Sequence, residues 1–412
     1  MTKLNAVMNF PLSNIRNISL FYLFSVVINS WWISANWIFF WTRYMTYGSL
    51  GLVDALAFGF GLLMEIPTGA IADLLGKRKT IISAMSFALI GISIITFSDS
   101  YYGILIGFLI CQLGWALYSG AAEAMAYDTL IDEKKETQFE EVITTYSTIA
   151  GITTLITTLI GGFLYSVHFR LPHILWVISY VFGLALALFI KEPKTVLEKF
   201  TLKNYFLQLK IGFKELFKTN LRQYIVFFFA LYGSFIIYDW GLVKPAFAER
   251  FGYLANEQAI LFTILGIITA ILVRFIPRIR KIIGDKIGMY ILSILLAMAY
   301  AFMFFNWGFA GFIPLALLDL SGRIVYPWLS IIINKEIPSK YRATTISTTV
   351  LLSRLPYVFV AIIAGEAAQN GQLGIFGLGI GVILISLVAI NFLYFDILKR
   401  GTSHSSSISS HS

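Results

Sequence analysis

The stretch Glu65-Ile-Pro-Thr-Gly-Ala-Ile-Ala-Asp-Leu-Leu-Gly-Lys-Arg-Lys-Thr80 connects an apolar run that begins at Gly48 to another that begins at Thr80. A charged turn so placed is a tight connection at a membrane face. Gly69 and Gly76 carry no Cβ, so two helix ends can approach and turn there. Asp73 is an anion near a helix end, and Lys77, Arg78 and Lys79 lie within reach to neutralise it. The composition around this connection agrees. Of 412 residues, 58% are hydrophobic and 13% charged, whereas a soluble globular protein carries roughly 25% charged residues. Abundant Phe, Tyr and Trp suit interfacial belts and packing in a bilayer.

Outward from this turn, apolar runs of ~20 residues, long enough to span the hydrocarbon core, recur along the chain. They fall at 17–41, 48–72, 80–98, 102–128, 141–166, 172–190, 221–247, 256–276, 287–306, 309–333, 342–367 and 373–396, twelve in all. Lys3 and Arg16 precede the first, but no small-residue cleavage site follows, so it reads as a retained span. An even number of spans puts both chain ends on one side. With that side cytoplasmic, 25 of the 31 Lys and Arg face inward. Arg43, Arg170, Lys244 and Arg250 are left outside, and Arg323 and Arg354 fall within spans. This asymmetry follows the positive-inside rule. It accounts for the net charge of +9 without a nucleic-acid partner, because the charge faces the anionic inner leaflet. The single cysteine, Cys111, lies inside an apolar run, which excludes an intramolecular disulfide framework.

The chain also repeats itself. Thr144-Thr-Tyr-Ser-Thr148 opens the fifth span and Thr344-Thr-Ile-Ser-Thr348 the eleventh, 200 residues later. Arg16 and Arg222 enter spans one and seven, 206 apart, while Arg43 and Arg250 leave them, 207 apart. Gly76 recurs as Gly284. Offsets that stay near 200 in one order indicate two six-span halves, related as parallel repeats. The expected organisation is a six-helix bundle at 1–190, a cytoplasmic linker at 191–220, a second bundle at 221–400 and a Ser-rich disordered tail at 401–412. Within the linker, Leu202, Phe206, Leu209, Phe213 and Phe217 share one helical face and Lys203, Lys210, Lys214 and Lys218 lie mostly off it. That pattern predicts an amphipathic helix on the membrane surface, with a loosely ordered basic linker as the alternative.

With the spans in place, the 65–80 turn resembles the signature of the major facilitator superfamily between its second and third helices. That signature runs Gly, three residues, Asp, a basic residue, any residue, Gly and a basic cluster. Gly69, Asp73, Gly76, Lys77, Arg78 and Lys79 match it, while Leu74 stands where the family has Arg or Lys. Glu65-Ile-Pro-Thr68, the end of span four from Glu123 to Asp128, and Arg342-Ala-Thr-Thr-Ile-Ser347 resemble a bacterial branch of the same family. The resemblance implies an all-α integral membrane fold of twelve transmembrane helices in two six-helix bundles, working by alternating access. A monomer is the expectation, but the sequence leaves the oligomeric state open, because no span carries a small-residue dimer face that packing within the bundle would not also require. In that fold Glu65, Gly69, Asp73, Gly76, Lys77, Arg78, Glu123, Asp128 and Arg342 gather at the cytoplasmic rim. There they are expected to act as gating contacts that break when the halves rock; plain membrane-surface charge is the alternative.

No enzyme site, phosphate loop, cofactor motif or metal-ligand spacing is visible, and His168, His173, His404 and His411 lack a zinc arrangement. What remains is a small set of ionisable groups within spans, each costing roughly 2.5–3.5 kcal/mol at a helix centre unless paired, wetted or used. Asp319 and Arg323, four apart in span ten, are either a self-neutralising pair or part of a coupling site. Arg354 needs a partner from another helix, Asp239 or Asp319. The resemblance places spans one, four, seven and ten around a central cavity, so Asp239, Asp319, Arg323 and Arg354 are candidates for proton coupling. Asn29, Gln112 and Trp115 are candidates for lining the substrate path, with helix packing as the competing account. Gly161-Gly162 matches part of an exporter motif in span five, but Thr157-Thr158 stands where its Gly-Pro belongs. The apolar, aromatic spans favour proton-coupled export of small amphipathic molecules from the cell membrane, and the alternative is a proton-coupled importer of a metabolite. Protons, a small molecule and the lipid bilayer are the expected partners. On the gating reading, Asp73→Asn is expected to leave the protein in the membrane at normal levels but to slow transport. Unchanged initial rates of uptake or efflux would remove Asp73 from the gate.

Overall fold

A computed structural model describes residues 10–194, 201–217, 221–337 and 339–398. The side chains of 66, 67, 69, 70, 72–74, 202, 205, 208, 339–344, 347 and 396–398 fall outside that description, as does the tail expected to be disordered at 401–412. All regular elements among the described residues are helical. They run α1 (Arg16–Ile28), α2 (Trp37–Trp41), α3 (Tyr47–Leu75), α4 (Lys77–Phe97), α5 (Tyr101–Asp132), α6 (Phe139–Val167), α7 (Leu171–Ala187) and α8 (Leu202–Leu216). The second half continues with α9 (Tyr232–Asp239), α10 (Val243–Arg250), α11 (Ala255–Val273), α12 (Ile276–Ile283), α13 (Asp285–Phe302), α14 (Phe312–Glu336), α15 (Ser339–Gln369) and α16 (Leu373–Phe392). Nine helices among the described residues are long and apolar enough to cross a membrane, and the bent pair Arg222–Asp239 and Val243–Arg250 forms a tenth, broken crossing. Two shorter apolar helices, α1 and α7, stand at the remaining predicted spans, so each of the twelve apolar runs has its helix.

Two of those spans are not continuous, which the apolar pattern did not reveal. Span one is helical at 16–28, irregular at 29–36 and helical again from Trp37. The irregular stretch is Asn29-Ser-Trp-Trp-Ile-Ser-Ala-Asn36, whose short polar side chains bond nearby carbonyls and compete with helix. Asn29 donates to the Ser25 carbonyl at 2.9 Å, Ser30 to Val26 at 2.6 Å and Asn36 to Trp32 at 2.9 Å. Span seven breaks at 240–242, with a 61° bend between its two parts. The entries (Arg16, Arg222) and the restarts (Trp37, Val243) are both 206 residues apart, so the repeat read from the sequence extends to the breaks themselves.

The tight turn that opened the reading has a physical counterpart in each half. Gly76, between α3 and α4, has φ +87° and ψ 154°, and Gly284, between α12 and α13, has φ +73° and ψ 164°. This region of backbone space is open essentially to glycine alone. At the first turn, Glu192 accepts hydrogen bonds from the Lys77 and Arg78 amides at 2.7 and 2.8 Å, satisfying the start of α4.

The chain divides into two compact units. Unit 1 comprises Met1–Thr46, Leu56–Tyr205 and Leu254–Thr263, and unit 2 comprises Tyr47–Ala55, Phe206–Tyr253 and Ile264–Ser412. Each unit therefore includes the first turns of one helix from the other half of the sequence. In unit 1 a Cβ on Gly162 of α6 would stand 2.8 Å from the Ala255 carbonyl at the start of α11. In unit 2 a Cβ on Gly51 of α3 would stand 2.9 Å from the Gly365 Cα of α15. Gly161, the neighbour of Gly162, lies so close to the Trp32 carbonyl that any Cβ would collide with it. The paired glycines of span five thus have a packing role in this chain. Apolar side chains stand out from the helices on the periphery, among them Leu63, Phe182, Phe359 and Ile390, a surface that calls for hydrocarbon around it. On α8, Phe206, Leu207 and Phe213 are exposed beside Lys203, Lys210 and Lys214.

Gly284→Ala meets no neighbouring atom within 4 Å, so its expected destabilisation is the backbone strain alone, of order 1–3 kcal/mol. Gly76→Ala adds a close approach to Glu192 Oε1 at 2.8 Å, and is expected to lower the melting temperature of the detergent-purified protein further. Equal losses in the two variants would show that Glu192 yields to the added methyl group without cost.

Candidate functional site

The break in span seven separates two oppositely charged residues and turns both into unit 2. Asp239 ends α9 and Lys244 is the second residue of α10. Facing them on α14, Asp319 and Arg323 sit one helical turn apart. Lys244 Nζ lies 2.5 Å from Asp319 Oδ1 and 3.3 Å from Asp239 Oδ1. Arg323 closes the ring, its Nε 2.9 Å from Asp319 Oδ2 and its Nη2 2.8 Å from Asp239 Oδ1. The Asp319 side chain is 1% exposed and that of Lys244 9%, rising to 36% for Arg323. Two carboxylates and two cations cancel, so four residues that would each be costly alone enter the bilayer as a neutral set. Aromatic faces complete the surroundings: Lys244 Nζ is 5.5 Å from the Tyr238 ring centre and the Arg323 guanidinium 5.9 Å from that of Phe235.

Two sequence expectations change here. Lys244, counted with the outer basic residues, is a buried member of the ring. Its position inside the predicted run 221–247, five residues after Asp239, was the available signal. Arg354 was expected to partner Asp239 or Asp319, but the ion-pair partners of those acids are Lys244 and Arg323. The Arg354 guanidinium instead lies 4.3 Å from the centre of the Trp240 ring, on the break itself. Asp239, Asp319 and Arg323 are brought together; Asn29, Gln112 and Trp115 belong to unit 1.

In unit 1, Trp115 donates to the Tyr180 hydroxyl at 2.8 Å, and its ring packs among those of Trp31, Trp176 and Phe108. Gln112 Oε1 lies where a Cβ on Gly61 would come within 2.8 Å. Asn29 caps α1, and its carbonyl accepts from Thr154 Oγ1 at 3.3 Å. Of the rim residues, Lys77 forms a buried ion pair with Asp128 at 3.1 Å, and Arg78 Nη2 donates to the Leu188 carbonyl at 3.2 Å. Glu65 is half-buried and Glu123 exposed. The side chains of Asp73 and Arg342, and the surroundings of Gly69, lie outside the described residues. Glu192 escaped the sequence reading because nothing in its own loop marks it as the partner of a helix start 115 residues away.

The family model described as Major Facilitator Superfamily matches residues 19–361. The chain belongs to the major facilitator superfamily. Among curated proteins it is 22% identical over 333 residues to a Bacillus subtilis (strain 168) protein described as the uncharacterized MFS-type transporter YxaM, covering 77% of this chain and 79% of that one. Among solved structures it resembles the nucleoside transporter NupG, with a TM-score of 0.71, 16% identity, and 94% and 100% of the two chains covered. It also resembles a D-xylose-proton symporter, with a TM-score of 0.63, 14% identity, and 90% and 96% covered. At such identities these structures speak for the fold. A superfamily transporter with nine helices among the described residues that are long and apolar enough to cross a membrane, or ten with the bent pair counted as one span, is a multi-pass membrane protein.

Breaking a buried ion set by removing one member leaves an uncompensated charge, at about 3–5 kcal/mol. Lys244→Met is therefore expected to lower the melting temperature and the folded yield sharply, and Lys244→Met with Asp239→Asn to recover most of both. Equal loss in the single and double variants would show that charge balance is not what the ring provides.

Proposed function

We propose that this transporter moves small amphipathic organic molecules out of the cell across the cell membrane in exchange for protons, with the ring of Asp239, Lys244, Asp319 and Arg323 as its coupling centre. The observation that carries the proposal is that this neutral, buried ring straddles a broken span. Each carboxylate has two cationic partners, so a proton or a charged substrate group arriving at one acid frees a cation to rearrange rather than creating a lone charge. The break lets α10 move relative to α9 without stretching a continuous hydrogen-bond ladder, and interrupted helices at a charged site are a recurrent way to hold solutes and ions in transporters. The aromatic set around Trp115 in unit 1 supports an amphipathic or lipophilic cargo over a sugar. Gating falls to the cytoplasmic turn, where Lys77 pairs with Asp128 and Glu192 holds the start of α4. Both chain ends are assigned to the cytoplasmic side from the distribution of basic residues.

The test is a panel of toxic amphipathic compounds against an efflux-deficient host expressing the protein. Expression is expected to raise tolerance to part of the panel, and Asp239→Asn or Asp319→Asn to abolish the gain at equal membrane levels. Accumulation of a neutral metabolite, lost in the same variants, would replace export by import. Full activity in both variants would remove the ring from coupling.

A further inference from the structure

A further buried acid, outside the ring, has no counterpart in the reading of the sequence. Asp54, two turns into α3 and 1% exposed, belongs to the short segment 47–55 that unit 2 takes from the first half of the chain. Its Oδ2 accepts a hydrogen bond from the Tyr357 hydroxyl of α15 and another from the Leu242 amide at 3.2 Å. Leu242 is the residue before α10, so the carboxylate sits at the positive end of that helix, on the break of span seven. Gly241 completes the enclosure: any Cβ there would collide with both Tyr357 Oη and Asp54 Oδ2.

Among the described residues, charged groups on the packed elements are engaged elsewhere. On α15, Arg354 lies over Trp240, and Glu366 stands beside Gly48 at the outer start of α3. On α10, Lys244 is held by Asp239 and Asp319, and Glu249 accepts from the Tyr47 hydroxyl. Among the described residues no Lys, Arg or His forms an ion pair with Asp54. Asp54 is thus unlike the ring acids. Two hydrogen bonds and a helix end favour its charge and burial opposes it, so the balance turns on those contacts.

We propose that Asp54 is a proton-binding site that latches the start of α3 into unit 2: as a carboxylate it clasps Tyr357 and the break of span seven, and on taking a proton it releases them. The proton adds to a carboxylate oxygen and no other bond changes. The acceptor becomes neutral, and hydrogen bonds to a neutral acceptor are roughly half as strong as charge-assisted ones. Segment 47–55 joins unit 2 from the other half of the sequence, so any motion that withdraws it must first open this clasp. The site does not depend on the ring carrying protons or on the direction of transport.

The experiment is an electron paramagnetic resonance distance measurement on the full chain in lipid nanodiscs, with spin labels on Leu52→Cys and Ile375→Cys. Both positions are exposed and both belong to unit 2, while the native Cys111 is buried. One distance population is expected at alkaline pH, with a second, longer one growing as pH falls. Asp54→Asn, which cannot carry the charge, is expected to show the longer population at every pH. Tyr357→Phe removes one donor from the ionised form and is expected to move the transition to higher pH by about one to two units. A distance that ignores pH in the wild-type chain, or a pH profile unchanged in Asp54→Asn, would overturn the proposal. No substrate is involved, so failure of the export reading leaves this result untouched.

Discussion

A charge carried into hydrocarbon has to be cancelled where it stands, and in this chain one alternating ring of two acids and two bases does so. The constraint shapes the backbone around it. Asp239 reaches Arg323 and Lys244 reaches Asp319, both on α14, because the helix that bears Asp239 and Lys244 is interrupted between them. Arg323 is placed by ordinary helical spacing on α14, one turn beyond Asp319. The ring therefore ties the two parts of the broken span to α14 through side chains. It also gathers two acids and two bases of unit 2 in one place.

The rest of the architecture repeats one plan twice. Spans one and seven both stop and restart, at positions related by the same offset as their entries. The turns at Gly76 and Gly284 share a backbone conformation that side-chained residues rarely adopt. Gly162 against α11 in unit 1 and Gly51 against α15 in unit 2 are matching close approaches, through which each unit accommodates a helix start from the other half of the sequence. The paired glycines of span five, suggestive of an exporter motif in the sequence, have a local task here. One admits the carbonyl of the unwound stretch at Trp32 and the other admits α11.

Much of this is legible in the sequence. The twelve apolar crossings and the helical fold follow from run length and composition, because a bilayer leaves few alternatives. The turn at 65–80 identified the family by residue type and spacing. Other features were hidden for definite reasons. The breaks at 29–36 and 240–242 carry no charge and place their polar residues among Trp, Ile and Leu, so a hydropathy reading passes over them. Lys244 was misplaced because a lysine near the end of an apolar run looks like an outer anchor until Asp319, 75 residues later, is folded against it. Asp54 and Glu192 are recognised only through partners far along the chain, and a single sequence contains no record of those pairings.

The central claim is that the ring is a set of ion pairs, with Asp319 as a carboxylate between Lys244 and Arg323. Infrared difference spectroscopy of the lipid-reconstituted wild-type protein against Asp319→Asn tests it most directly. The account predicts the loss of a carboxylate stretching band and no change in the carbonyl region of protonated acids. Loss of a protonated-acid band instead would mean that Asp319 is neutral at rest, and the ring as described here would not exist.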